Sequence, residues 1–151
     1  MRFLEVKNKH KRDDLLFFDE EKHQYKFYDT RMDPPTYTSA ISSTTLIHSL
    51  FPKFDADKII DDMMKSPSWE RNKYYPMTKE EIKKKWDENS KEAMMKGTKL
   101  HEDIECYLNY ECVSNKTKEY QFFLNFIRDN QICVYRTEWK IFDEASGIAG
   151  T

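Results

Sequence analysis

Apolar and polar positions along this chain follow two periods, and the place where one gives way to the other organises everything else. Near the N-terminus, Leu15 to Phe18 and Tyr25 to Tyr28 are short aromatic-rich runs joined by the polar Asp19-Glu20-Glu21-Lys22-His23, which predicts a β-hairpin. Pro34-Pro35 then breaks regular structure, and Ser42-Ser43-Thr44-Thr45 offers hydroxyl caps for a short helix through Leu46, Ile47 and Leu50 that ends near Pro52. Asp55 caps a second helix carrying Ile59, Ile60, Met63 and Met64, which Pro67 closes. Thr78-Lys79-Glu80-Glu81 is a capping box and predicts a long helix through Ile82 and Trp86. A further helical stretch is expected over 97–109, with Leu100, Ile104 and Leu108 on one stripe, and another over 116–130, with Tyr120, Phe123, Leu124 and Ile127 at helical spacing. From Val134 to Phe142 the period becomes two, so Tyr135, Thr137, Trp139 and Ile141 are expected on one face of a strand and Arg136, Glu138 and Lys140 on the other. A turn at 143–147 and the opening of a partner strand at Ile148 complete an α+β pattern.

Composition narrows the class. A chain of 151 residues can enclose one core, and one domain is expected, with a hairpin and helices over 1–96 and a second part over 97–151. Apolar residues make up only 38%, but ten Phe, nine Tyr and three Trp are among them, so a few bulky aromatics must supply the buried area. Charged residues reach 34%, and no apolar run approaches the ~20 residues of a membrane span. The N-terminal residues lack an apolar signal core, and Cys106, Cys112 and Cys133 form neither an even set nor a Cys-x-x-Cys pair. An intracellular protein, in cytoplasm or nucleus, is the expectation. With 25 basic against 27 acidic residues there is no global basic field, which leaves local clusters such as Lys7 to Arg12 and Lys83 to Lys85.

The densest chemistry lies in Gly97-Thr98-Lys99-Leu100-His101-Glu102-Asp103-Ile104-Glu105. Gly97, His101 and Glu105 are spaced by four, so on a helix a glycine, an imidazole and a carboxylate stand in line. Such a His and Glu can share a divalent cation or the water it activates; the same pair also serves as an ordinary helix-surface contact. Glu138 is either a solvated or cross-strand-paired acid or a carboxylate near a cation. Ser42 to Thr45 can cap a helix or hold a phosphate. Three scattered thiols pack as small apolar groups unless a fourth ligand completes a metal site.

The order of these features resembles the RecB-like branch of the PD-(D/E)XK nuclease superfamily: helical Gly-x-x-x-His-x-x-x-Glu, an aromatic helix, a strand with the central Glu of Arg136-Thr137-Glu138-Trp139, then Gly147-Ile148-Ala149-Gly150-Thr151. It is more closely similar to nuclease-like proteins of large DNA viruses, in which Ser43-Thr44-Thr45-Leu46-Ile47 and Phe51-Pro52-Lys53-Phe54-Asp55 also have counterparts. The resemblance implies a restriction-endonuclease-like fold and Mg²⁺- or Mn²⁺-dependent hydrolysis of DNA, in repair or recombination or in an infected host cell. It makes His101 a metal ligand, Glu105 and Glu138 the catalytic carboxylates, and Gly97 and Gly150 positions of close backbone approach. Ser43, Thr44, Thr45 and Lys99 become candidate nucleic-acid contacts. In the family an Asp follows Gly-Thr and a Glu-x-Lys or Asp-x-Lys motif comes after it; neither follows Gly150-Thr151 here, so a core incomplete on its C-terminal side and inactive alone is expected. The alternative is a non-catalytic module that binds nucleic acid or a partner on the same fold.

Overall fold

The computed structural model describes residues 2–151. It is a mixed α+β chain. Among the described residues the helices are α1 (Phe3–Lys7), α2 (Ser43–Ser49), α3 (Ala56–Met64), α4 (Lys79–Leu108) and α5 (Lys118–Asn130), and the strands are β1 (Leu16–Asp19), β2 (Gln24–Asp29), β3 (Thr36–Ser42), β4 (Ile141–Asp143) and β5 (Ile148–Gly150). Among the described residues no helix is long and apolar enough to cross a membrane. Contacts divide the chain into two compact units, Met1–Pro52 with Asp103–Thr151, and Lys53–Glu102. The N-terminal hairpin and the C-terminal strands fall in the first unit, and the helices between them in the second.

In the first unit the five strands make one sheet in the order β1-β2-β3-β5-β4. β1, β2 and β3 pair antiparallel in succession, β5 joins β3 in parallel, and β4 returns antiparallel to β5. The hairpin arises where the sequence pattern puts it, with Phe18 opposite Tyr25. On β2 the alternation is strict: Tyr25, Phe27 and Asp29 are buried while Gln24, Lys26 and Tyr28 are only partly so. Phe27 stacks on Phe142 of β4 with ring centroids 5.2 Å apart, and Ala149 completes the buried cluster. Asp29 ends that inward row as a charge, matched by a two-pronged ion pair with Arg31 at 2.9 and 2.7 Å. Helix α5 is capped by Thr117, whose hydroxyl accepts the Tyr120 N–H. It buries Tyr120 beside Tyr107 and Phe123.

The second unit buries Ile60 of α3, Ile82 of α4 and Tyr74 between them, with Met63, Met64, Trp69, Met77 and Trp86 packed around. Its caps are those the sequence offers. Asp55 accepts the Lys58 N–H at 3.0 Å, and the Thr78–Glu81 box closes in both directions, at 2.7 and 3.3 Å.

Three expectations are corrected. The helices foreseen after Thr78 and over 97–109 are one helix, α4, because Gly97 in its interior costs only ~1 kcal/mol and nothing else there interrupts the backbone ladder. Strand β3 was not foreseen; its residues are exposed or half-buried and carry no apolar alternation, so what holds it is pairing on both sides. That pairing also gives β5 a third strand as neighbour, where the sequence pattern offered only β4. Finally, Val134 to Lys140 is not a strand; regular pairing begins at Ile141. Arg136 and Trp139, which strict alternation would send to opposite faces, both bind Asp13: an Arg136 Nη1 donates to Oδ2 at 2.6 Å and the indole Nε1–H to Oδ1 at 3.0 Å. Between them Glu138 takes φ of 45°, a left-handed conformation that reverses the local direction of the chain.

Candidate functional site

A cleft of about 290 Å³ opens on the sheet unit where the hairpin, the start of α2, the 138–140 segment and the end of β5 meet. Its walls carry Ser42, Ser43, Thr44, Glu138, Lys140 and Gly150, with His23, Glu20, Phe18 and Tyr25 from the hairpin. The pairing of β5 with β3 is what brings Gly150 to Ser43, since Ile41 opposes Ile148 and Ser42 opposes Ala149. There the backbone approach is tight. A Cβ on Gly150 would stand 2.5 Å from the Ser43 hydroxyl oxygen, so an alanine there requires the serine to rotate away.

The hydroxyls beside Gly150 have a local role as well. Ser42 Oγ accepts the Thr45 N–H at 3.0 Å and so caps α2, and it lies 2.9 Å from both the Thr44 and the Thr45 hydroxyl oxygens. Thr45 does not line the cleft, whereas Ser43 and Thr44 do. On the opposing wall the left-handed turn at Glu138 leaves that residue exposed. Two residues on, the Lys140 ammonium lies 5.2 Å from the centre of the Phe18 ring. The cleft thus combines two carboxylates, an ammonium, an imidazole and hydroxyls over an aromatic floor of Phe18 and Tyr25, whose centroids are 4.4 Å apart.

Glu105 lies in a different environment of the same unit. Its carboxylate is 3.5 Å from the Arg2 guanidinium and accepts from the Thr137 hydroxyl at 3.5 Å. Arg2 also binds Glu111 at 2.6 Å, a hydrogen bond that holds the Glu111 carboxyl below its usual range and, with the Glu105 charge, raises the guanidinium pKa further. Burial and the Glu111 hydrogen bond push the Cys106 thiol up, so it is a poor thiolate. Asn109 ties this cluster together: it accepts the Leu4 N–H at 2.9 Å and donates to the Glu105 carbonyl and to the Thr137 hydroxyl at 2.9 and 3.0 Å. Glu105 is therefore a structural ion-pair partner in this arrangement.

On the second unit's stretch of α4, His101 is exposed, Lys99 pairs with Glu102 at 3.1 Å, and a Cβ added to Gly97 would meet nothing within 4 Å. Cys106 is half-buried and Cys112 and Cys133 are exposed, all three as free thiols. Among the described residues no group of three or more His, Cys, Asp or Glu side chains is arranged to hold a metal ion.

Lys140, His23 and Glu20 were not singled out by the sequence, although Lys140 shares with Glu138 the spacing of two that was assigned to a polar face. Asp13, Arg136 and Asn109, which shape the surroundings, gave no signal at all. Compared with known proteins, the chain matches no family model, no curated protein and no solved structure.

Proposed function

We propose that this chain is the DNA-binding part of a nuclease-type domain of the PD-(D/E)XK kind, recognising a phosphodiester strand through the Glu138 cleft and not breaking it by itself. One observation carries the proposal. Ser43, Thr44, Glu138 and Gly150, four positions drawn from distant parts of the sequence by the resemblance, line a single cleft. Ser43 and Thr44 supply hydroxyl donors for phosphate oxygens, the Gly150 backbone admits a ligand closely, and Lys140 supplies one positive charge. Glu138 and Glu20 accept from exocyclic amines of a base and repel a phosphate placed beside them, which fixes the ligand's direction in the cleft. The reading takes the chain as a binding element, so no hydrolytic step is assigned to these residues.

The test is a filter-binding and cleavage assay on the 151-residue chain with labelled DNA, in EDTA and then with Mg²⁺ or Mn²⁺. Binding at low salt that weakens as salt rises, without cleavage in any condition, is the expected result. Absence of DNA binding at low salt would overturn the reading, and metal-dependent cleavage would overturn its second half. A partner-binding module on the same fold has separate support in Leu46, Ile47, Leu50 and Phe51, which are exposed on and just after α2. It predicts association that is insensitive to salt.

A further inference from the structure

Lys140 lines a second pocket as well as the cleft. This one, of about 170 Å³, is bounded by His10, Arg12, Asp13 and Trp139 together with Ile141 and Phe142. We propose that it is a second nucleotide subsite, adjoining the first across Lys140, and that the ligand passing through both is a single nucleic-acid strand. The inference rests on the nucleic-acid reading above and adds to it the substrate class and a site outside the residues already assigned.

Size and lining both favour a single strand. Each space lies at or below the small end of ligand pockets, ~300–1,000 Å³, which suits one base or one sugar-phosphate at a time. A duplex offers only base edges inside its grooves, whereas a single strand can turn its bases out onto aromatic side chains. The second pocket has such a surface held in place. The Trp139 indole is fixed by its hydrogen bond to Asp13, by the Arg136 guanidinium 5.1 Å from its ring, and by edge contact with His10 at 5.8 Å. An aromatic side chain already immobilised loses little freedom when a base stacks on it.

Charge follows the same path. The sheet unit is acidic in sum, yet Lys7, Lys9, Lys11 and Arg12 are exposed in one short run of sequence, and Arg12 of that run lines this pocket together with Lys140. Lys9 and Arg12 are each partly matched by a carboxylate, and the other nearby acids are held elsewhere. Asp13 is bound by Arg136, Trp139 and the His10 N–H, while Asp14 pairs with Lys9 at 3.2 Å and Glu144 with Arg12 at 3.7 Å. Glu5 faces the buried Arg136 guanidinium at 3.9 Å. A strand laid from the cleft to the second pocket meets rings at Phe18 and Trp139 and cations at Lys140 and Arg12, the combination that tracks a single-stranded backbone without reading its sequence.

The experiment is a titration of the full chain with oligo(dT) and with a duplex of equal length, in EDTA at low salt, followed by anisotropy and indole fluorescence. Oligo(dT) should bind more tightly than the duplex and quench Trp139. Trp139→Leu should weaken oligo(dT) binding by ~10-fold, the scale of one lost base stack. Because Trp139 also anchors Asp13, Arg12→Gln and Lys11→Gln provide surface variants, and each should lower the salt slope by about one counterion. Duplex binding that equals or exceeds single-strand binding would overturn the inference and leave the nucleic-acid reading standing, as would oligo(dT) binding untouched by all three substitutions. No binding of either ligand would remove both.

Discussion

The two units hold themselves together by different means. In Lys53–Glu102 the contacts that define the structure are close in sequence: Asp55 caps the helix it precedes, Thr78 and Glu81 close their box across three residues, and Lys79 and Lys83 reach back to Asp57 and Asp61 at 2.8 to 3.0 Å from one helix to the next. In the sheet unit the decisive polar contacts are distant. Arg136 meets Asp13 across 123 residues, Trp139 meets the same carboxylate across 126, and Asn109 receives the Leu4 N–H across 105. Local capping signals reach a reader of sequence because partner and target share a few turns of chain. A contact that spans most of the molecule leaves no such trace, and the candidate cleft is built from contacts of that kind.

The largest expected effect is in the sheet core. Phe27 is 1% exposed and stacks on Phe142, so Phe27→Ala should cost about 3–5 kcal/mol of stability. Chemical denaturation measures the loss. Hydrogen exchange sharpens the comparison: amides of β2 and β3 should lose protection first, while those of α3 retain theirs. Simultaneous loss in both regions would mean that the units share one cooperative transition in spite of their separate contacts.

Next comes the long-range polar knot. Burial disfavours a charged Asp13, but the His10 N–H, Arg136 and Trp139 outweigh that and hold its carboxyl below the usual range. Asp13→Ala removes the acceptor of the 2.6 Å bond from a guanidinium that is only 7% exposed and whose Nε already lacks a partner. Leaving that charge buried without its partner should cost ~3 kcal/mol. The same variant should free Trp139, which a shift in its fluorescence would report. An unchanged melting temperature would show that the 132–140 segment is held by something other than this knot.

These two regions also set out what was legible. The hairpin could be read because Phe18 and Tyr25 alternate around a short polar turn, and α5 because Tyr120, Phe123 and Ile127 recur at helical spacing behind a capping threonine. Strand β3 could not, since Thr36-Tyr37-Thr38-Ser39-Ala40-Ile41-Ser42 buries little and is recruited by its neighbours. Arg136 to Trp139 misled for a physical reason: its alternating polarity is that of a strand, but the half-buried Asp13 carboxylate gathers side chains from both of the faces a strand would have. Of the candidate site, Ser43, Thr44, Glu138 and Gly150 converge. Glu105, in the same unit, stands apart from them, engaged with Arg2 and Thr137.

A smaller effect belongs to the helical unit. Thr78→Ala opens the capping box at the start of α4 and should cost ~1 kcal/mol. Part of that loss should return in Thr78→Ser, which keeps the hydroxyl, and the thermal midpoint of each variant decides it. A loss as large as that of Asp13→Ala would mean that local capping and long-range pairing do not differ in weight as the contrast between the units requires.

The smallest effect isolates one contact in the sheet unit that is local, and it is read by pH. Asp29 is 3% exposed, and its carboxyl is drawn down to about 2 by side-chain hydrogen bonds from Arg31, two residues away, with the Arg31 N–H adding to them. In an unfolded chain an aspartate titrates near ~3.9. Above about pH 4 the carboxylate is charged in both states, and the ion pair stabilises the fold in full. As pH falls from there toward 2, the unfolded chain takes up a proton that the folded one does not, so this contribution declines, and it is gone once the folded carboxyl is protonated too. The gap in melting temperature between wild type and Asp29→Asn should therefore be widest near neutral pH and close below about pH 4. In the helical unit, hydrogen bonds from Lys83 and then Lys79 also lower the Asp57 carboxyl, but that side chain is 57% exposed. Salt should then erode the Asp57→Asn gap through screening and leave the Asp29→Asn gap nearly unchanged. Equal salt sensitivity at the two sites would place Asp29 in the same solvated class as the surface pairs, and its position on the buried β2 face would no longer shield the Arg31 pair from salt.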